Sequence, residues 1–182
     1  VAAANPLAAE AGLAILRDGG NAIDAMVTTQ LVLGLVEPQS SGIGGGAFLV
    51  YFDAEAGRLT TFDGRETAPA AATPKLFLDA AGEPLAFYDA VVGGRSVGTP
   101  GTVRLLFDTH ERYGRLPWAT VVQPAIDLAR KGFAVSPRLH ELIAEDAERL
   151  SRYPGTKGYF FDADGAALPV GTILTNAGYA DT

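Results

Sequence analysis

The stretch Glu37-Pro-Gln-Ser-Ser-Gly-Ile-Gly-Gly-Gly-Ala-Phe-Leu-Val-Tyr-Phe-Asp53, followed by Thr61-Phe-Asp-Gly-Arg-Glu-Thr-Ala-Pro69, sets the reading of the whole chain. A glycine-rich turn feeds an apolar run, Ala47 to Phe52, that reads as a strand. Ala54-Glu-Ala-Gly57 turns the chain, and Leu59 to Phe62 returns as the second arm of a hairpin. The near-continuous apolar character of the first arm predicts burial on both faces. The second arm delivers Arg65 between two acids, Asp63 and Glu66. An arginine on a rigid element can grip a carboxylate with two parallel hydrogen bonds. Flanked by two acids, it can equally close a structural ion-pair network, and the residues alone leave both readings open.

Outward from the hairpin, the flanks read as helix. Asn5-Pro6 is a start signal, with Asn as cap and Pro at the first helical position, and Gly19-Gly20 is a stop. Asn21 caps a second helix, with Asp24 placed at its positive end. That helix is apolar nearly all round, which predicts burial on more than one face, and Glu37-Pro38 ends it. Downstream, Ala68 to Pro74 is expected to be extended because residues before proline disfavour helix. Lys75 to Val92 reads as irregular, with short elements at Leu76–Leu78 and Leu85–Tyr88. Thr99 and Pro100 are the expected cap and first residue of a helix that buries Val103, Leu106, Phe107, His110 and Tyr113. Leu116 to Lys131 is helical but broken or kinked by Pro124. Ser136-Pro137 opens another helix, the tail from Tyr153 is turn-rich, and Asn176 caps one more.

Bulk properties narrow the function classes. The 182 residues are enough for one ordinary domain with a real core. A net charge of −7, with both signs interspersed, lacks the basic stripe of a nucleic-acid binder. No apolar run is long enough for a membrane-spanning helix. With no cysteine, disulfide and thiolate chemistry are excluded, which leaves the compartment open. The first residues, Val1-Ala-Ala-Ala-Asn5, carry no charged and apolar leader pattern.

Candidate chemistry is sparse. Gly42-Ile-Gly-Gly-Gly46 lacks the Lys-Ser/Thr of a phosphate loop and precedes a strand, so tight backbone packing beside a site is the better reading. Arg95, between Gly94 and Ser96, is a second candidate anion contact. Asp162-Ala-Asp-Gly165 resembles the start of a calcium loop, but no glutamate follows at the required spacing. Two histidines, His110 and His140, without cysteine make a zinc site improbable, and no metal or cofactor is expected. Glu141, Glu145, Asp146 and Glu148 read as a solvated helix face. No G-x-S-x-G elbow occurs and no residue is a convincing nucleophile.

Taken together, ordered motifs resemble the γ-glutamyltranspeptidase family. They are Asn5-Pro-Leu-Ala with Glu10-Ala-Gly, Gly19-Gly-Asn-Ala-Ile-Asp24, the glycine-rich stretch 37–46, and Phe62-Asp-Gly-Arg-Glu-Thr-Ala-Pro-Ala70. Val97-Gly-Thr-Pro-Gly101, Tyr113-Gly-Arg-Leu-Pro-Trp118, Pro124-Ala-Ile-Asp-Leu-Ala129 and Gly132-Phe-Ala-Val-Ser136 continue the series. The resemblance implies an α+β N-terminal nucleophile hydrolase with an αββα sandwich, made as a precursor that cleaves itself into a large and a small subunit. Residues 1–182 would be one partial domain, the N-terminal part of the large subunit. The nucleophile, an N-terminal threonine, would belong to the small subunit, so no catalytic residue is expected in this chain. Substrates would be glutathione or another γ-glutamyl compound, with water or an amino acid or peptide as acceptor, and a periplasmic or secreted location. Arg65 matches the family arginine that holds the donor α-carboxylate, and Asp63 and Glu66 would orient it. A sister activity on the same scaffold, a glutaryl-cephalosporin-type acylase or polyglutamate-processing enzyme, fits nearly as well. A non-catalytic binding or structural module, in which Arg65 only makes ion pairs, is the alternative of another class.

Overall fold

The structure is a computed structural model that describes residues 1–182. Helix α1 (Pro6–Arg17) and helix α2 (Ala22–Val36) open the chain, and side chains cap both. Asn5 accepts from the Leu7 N–H at 3.0 Å. Asn21 accepts from the N–H groups of Ile23 and Asp24, while Asp24 takes the Asn21 N–H at 2.8 Å, a reciprocal box that satisfies several free donors of the first turn. Nine of the fifteen residues of α2 are buried, which is why its sequence shows no single apolar stripe.

Strands β1 (Ala47–Asp53) and β2 (Arg58–Gly64) form the expected antiparallel hairpin, in register from Ala47 opposite Gly64 to Asp53 opposite Arg58. Helix α4 (Thr102–Tyr113) and helix α5 (Trp118–Lys131) pack with α2 beneath it. Leu49 and Phe62 point into a small core of Val27, Leu105, Leu106 and Val121. Tyr51 packs against Tyr113 with ring centres 4.7 Å apart and the ring planes tilted by 42°. The other face is bare: Phe48, Val50, Phe52 and Leu59 are between 60 % and 65 % exposed. The expectation of burial on both faces is therefore corrected, because only one helix layer lies against the two strands.

The larger core joins α1, α2 and α5 to the C-terminal third, through Val32, Val36, Ala129, Val135, Ile143 and neighbours. Helix α6 (Pro137–Glu145) starts on the Ser136 cap, whose Oγ accepts the Leu139 N–H at 3.0 Å. Strands β3 (Phe133–Ala134) and β4 (Ile173–Leu174) pair antiparallel, and helix α9 (Ala177–Asp181) follows the Asn176 cap. Tyr179 of α9 donates its hydroxyl to the Leu31 carbonyl at 2.7 Å, and burial pushes its pKa up to about 12.

Several local expectations are revised. Helix α5 runs unbroken through Pro124, since burial of Val121, Ala125 and Ala129 on both sides outweighs one missing N–H. The segment expected to be extended turns at Pro69–Ala72, where the Ala72 N–H reaches the Pro69 carbonyl at 2.8 Å. Of the two short elements expected between Lys75 and Val92, the first holds the Leu78–Pro84 bridge, and the second overlaps helix α3, which spans Phe87–Val91. Helix α7 (Ala147–Leu150) follows α6, and helix α8 (Pro154–Phe160) stands in the tail read as turn-rich. Helix α4 starts at Thr102 with Gly101 as its cap residue, two residues later than the Thr99-Pro100 signal. Its inward face is Thr102, Leu105, Leu106 and Thr109, leaving Val103 and Phe107 exposed. Thr109 tolerates full burial because its hydroxyl donates to the Leu105 carbonyl at 2.7 Å.

Candidate functional site

The glycine-rich loop explains where α4 begins. The Gly45 carbonyl accepts from both the Gly101 and Thr102 N–H groups at 3.1 Å. A backbone oxygen thus serves donors that a side-chain cap would otherwise serve. Thr99 is engaged elsewhere: it forms an antiparallel bridge with Thr67, the Thr99 N–H reaching the Thr67 carbonyl at 2.8 Å.

Two glycine contacts fix the chain on either side of Arg65. A Cβ on Gly101 would overlap the carbonyl of Gly64, its carbon 2.6 Å away, and would lie 3.1 Å from the Arg65 carbonyl oxygen. A Cβ on Gly64 would meet the Leu105 side chain at 2.7 Å. The end of β2 therefore presses directly on the first turn of α4. Gly101→Ala in the complete protein is expected to cost about 1–3 kcal/mol by overpacking, seen as a lower denaturation midpoint. An unchanged midpoint would show that the two backbones separate without cost.

The acids beside Arg65 do not pair with it. Asp63 accepts the Arg65 backbone N–H at 2.9 Å, so it holds the root of the residue and not its guanidinium. Glu66 folds back on the glycine-rich loop: a Cβ on Gly46 would stand 2.8 Å from the Glu66 carboxyl carbon, and one on Gly98 would stand 2.8 Å from the Glu66 Cβ. These two glycines leave room for the Glu66 side chain, which supports the tight-packing reading of the loop. The Arg65 side chain is exposed and takes part in none of the seven ion pairs of the chain.

Arg65 instead lines a cavity of about 390 Å³ with Glu66 and Thr67 on one side and Arg95 and Ser96 on the other. A neighbouring cavity of about 490 Å³ follows the glycine-rich loop, and Glu66 lines both, standing between them. A larger cavity, about 810 Å³, lies against α6 and Tyr153 and contains none of Arg65, Asp63 or Glu66. Chemistry, not size, selects the Arg65 cavity: it joins an unpaired guanidinium to a rigid strand end.

The remaining candidates are structural. His110 Nε2 lies 3.0 Å from the Leu116 carbonyl and 3.3 Å from the Asp24 carboxylate, with its ring edge-on to Trp118. His140 Nδ1 lies 2.9 Å from the Leu168 carbonyl. Asp162 accepts the N–H groups of Asp164 and Ala166 at 3.0 and 2.9 Å, closing a surface turn at Gly165 (φ 81°). No group of three or more His, Asp or Glu side chains is placed to hold a metal ion. No helix is long and apolar enough to cross a membrane.

Two buried acids escaped the sequence reading as organising groups. Asp24 is fully buried and receives the Arg115 N–H at 3.0 and 3.1 Å and the Leu116 N–H at 3.4 Å, besides its role in the capping box. Glu37 is buried and accepts from the Asn5 side chain at 2.9 Å and from Gln39, with Arg138 Nε at 3.7 Å. Glu37 thereby ties the start of α1 to the end of α2. The only sequence signal for either was an acid beside a helix boundary.

Comparison with known proteins agrees with this architecture. The sequence profile described as Gamma-glutamyltranspeptidase matches residues 8–182. The glutathione hydrolase proenzyme of Bacillus subtilis is 41% identical over 182 residues, all of this chain and 31% of that protein. Among solved structures, Helicobacter pylori gamma-glutamyltranspeptidase superposes with a TM-score of 0.93 at 36% identity, over 99% of this chain and 51% of that one. A cephalosporin acylase from Bacillus halodurans gives 0.78 at 31% identity, over 97% of this chain and 33% of that one. The chain thus spans about a third of the length of the curated relatives it matches. Its α+β arrangement of helices under one hairpin corresponds to part of the N-terminal nucleophile hydrolase fold. On sequence and on backbone alike, this chain belongs to the gamma-glutamyltranspeptidase family.

Proposed function

We propose that these 182 residues form part of a γ-glutamyltransferase and glutathione hydrolase, the N-terminal part of its large subunit, and that Arg65 holds the α-carboxylate of the γ-glutamyl donor. The observation that carries the proposal is an exposed arginine left without an ion-pair partner although acids stand on both sides of it. Asp63 is spent on the backbone and Glu66 on the glycine-rich loop. The planar guanidinium is thereby free to bind a carboxylate through two parallel hydrogen bonds. Held at that end, the donor presents its γ-carbonyl at a fixed reach, which is catalysis by positioning.

The nucleophile is supplied by the small subunit, released from the same precursor. Its N-terminal threonine hydroxyl attacks the γ-carbonyl, and its own amine takes the hydroxyl proton and passes it to the departing amine. Water or the amine of an amino acid or peptide then takes the γ-glutamyl group from the threonine ester. The proenzyme names of the curated relatives support such a precursor.

The cephalosporin acylase likeness favours a second reading. A glutaryl donor carries the same distal carboxylate but no amine beside it, so Arg65 suits both. The two readings part on the ratio of kcat/KM for γ-glutamyl and glutaryl anilides.

In a crystal of the complete enzyme soaked with glutamate, the α-carboxylate oxygens are expected about 2.7–2.9 Å from the Arg65 guanidinium. Density for the carboxylate away from Arg65 refutes the assignment. A complete precursor that never cleaves itself favours the non-catalytic module instead.

A further inference from the structure

Arg95 is the one other cationic side chain on the cavity that holds Arg65, and the donor-site reading gives it no task. It sits in a single 3-10 turn, Gly94–Ser96. The turn is held by the Ser96 hydroxyl, which donates to the Val91 carbonyl at 2.7 Å. Gly93 (φ 105°) leads into it, packed so closely on Tyr153 that a Cβ would stand 2.5 Å from the tyrosine hydroxyl oxygen. Arg95 takes part in none of the ion pairs. The charged groups lining the cavity are therefore two guanidinium groups and one carboxylate, Glu66, which is folded toward Gly46. Each guanidinium, having no acid of its own, is open to an anionic group that enters the cavity.

The Thr67–Thr99 bridge decides whether one carboxylate serves both arginines. The pairing is antiparallel. Arg65 precedes Thr67 by two residues, on the Gly101 side of the bridge, and Arg95 precedes Thr99 by four, on the side of the Pro69–Ala72 turn. The roots of the two side chains thus stand at opposite ends of the bridge, an arrangement suited to two separate anionic groups.

We propose that Arg95 is a specificity-determining contact for a second carboxylate of the donor, and that this enzyme prefers γ-glutamyl compounds whose amine half ends in a free carboxylate. The proposal rests on the reading in which Arg65 takes the α-carboxylate. It places γ-glutamyl peptides with a free C-terminus, glutathione among them, ahead of donors with an uncharged amine half.

The test uses the complete, self-processed enzyme and three donors: glutathione, its glycine ethyl ester, and γ-glutamyl-p-nitroanilide. Arg95→Gln is expected to raise the ratio of KM for glutathione to KM for the anilide about tenfold, the scale of one lost hydrogen bond to a charged group. The ratio for the ester is expected to stay within about twofold, because its second carboxylate is already blocked. Arg95→Lys keeps the charge and is expected to recover part of the loss. Because each value is a ratio within one preparation, a fall in the amount of folded enzyme cancels. Equal changes for glutathione and its ester, or no change in the glutathione ratio, overturn the proposal. Arg65→Lys separates this failure from a failure of the underlying reading. If Arg65 holds the α-carboxylate, that variant raises KM for all three donors; if KM is unchanged for all three, the donor-site reading itself falls.

Discussion

If Arg65 holds the donor α-carboxylate as proposed, replacing it with lysine in the complete protein is expected to raise KM for γ-glutamyl donors by about 10- to 100-fold, the effect of losing one charge-assisted hydrogen bond. Lysine keeps the positive charge but offers a point contact where the guanidinium offers a planar fork. The loss falls on binding and orientation of the donor, so kcat falls as well wherever the loosened α-carboxylate lets the γ-carbonyl drift from the nucleophile. Stability is expected to change little, because the exposed guanidinium makes no ion pair and the backbone N–H of residue 65 still reaches Asp63. Steady-state kinetics beside a denaturation curve check both halves. Wild-type kinetics with a lowered unfolding midpoint would point to a structural role for Arg65 and defeat the donor-site assignment.

The largest stability effect is expected at a residue far from substrate. Asp24→Ala removes the acceptor for the Asn21, Arg115 and Leu116 N–H groups at once and brings no new partner. Each part-buried donor left unpaired costs about 1 kcal/mol or more, and loss of the negative charge at the start of α2 adds about 0.3–1 kcal/mol, so the sum is about 3–4 kcal/mol. Asp24→Asn keeps the shape and one acceptor oxygen, and its cost is expected to be smaller. The measurement is the midpoint of chemical denaturation of the complete protein. A change below about 0.5 kcal/mol for Asp24→Ala would mean that water reaches these groups and that the carboxylate is not the pin it looks to be.

Much of this was legible in the residues because it depends on short-range chemistry. Asn5, Asn21, Ser136 and Asn176 cap the helices they were expected to cap, since a cap needs only its own next few residues. The hairpin was legible because its pattern and its turn lie in one stretch. What failed depended on distant partners. Thr99-Pro100 has the local signature of a helix start, but the oxygen that serves the first donors of α4 comes from Gly45, far back in the chain. Phe107 looked like a core residue by spacing, yet Thr109 goes inside because its hydroxyl finds a carbonyl in its own helix. Arg65 was legible as a candidate and ambiguous in role. The ambiguity turned on where Asp63 and Glu66 point, and Glu66 points toward Gly46, a neighbour that a linear reading does not supply.

The hairpin has a consequence for how the polypeptide must be handled by the cell that makes it. Both of its strands are edge strands, and the outward row of Phe48, Val50, Phe52 and Leu59 is a flat apolar surface. Such an edge is a template for adding foreign strands, and natural proteins protect it with charge, bulges or cover. The only charge on that face is Asp63, opposite Phe48, at the far end of the row from the turn. Residues 1–182 made as a separate piece would therefore recruit copies of themselves along this hairpin and precipitate. On the proposed reading of a self-cleaving precursor, folding before the cut would give the hairpin its covering neighbours before any other molecule could take their place.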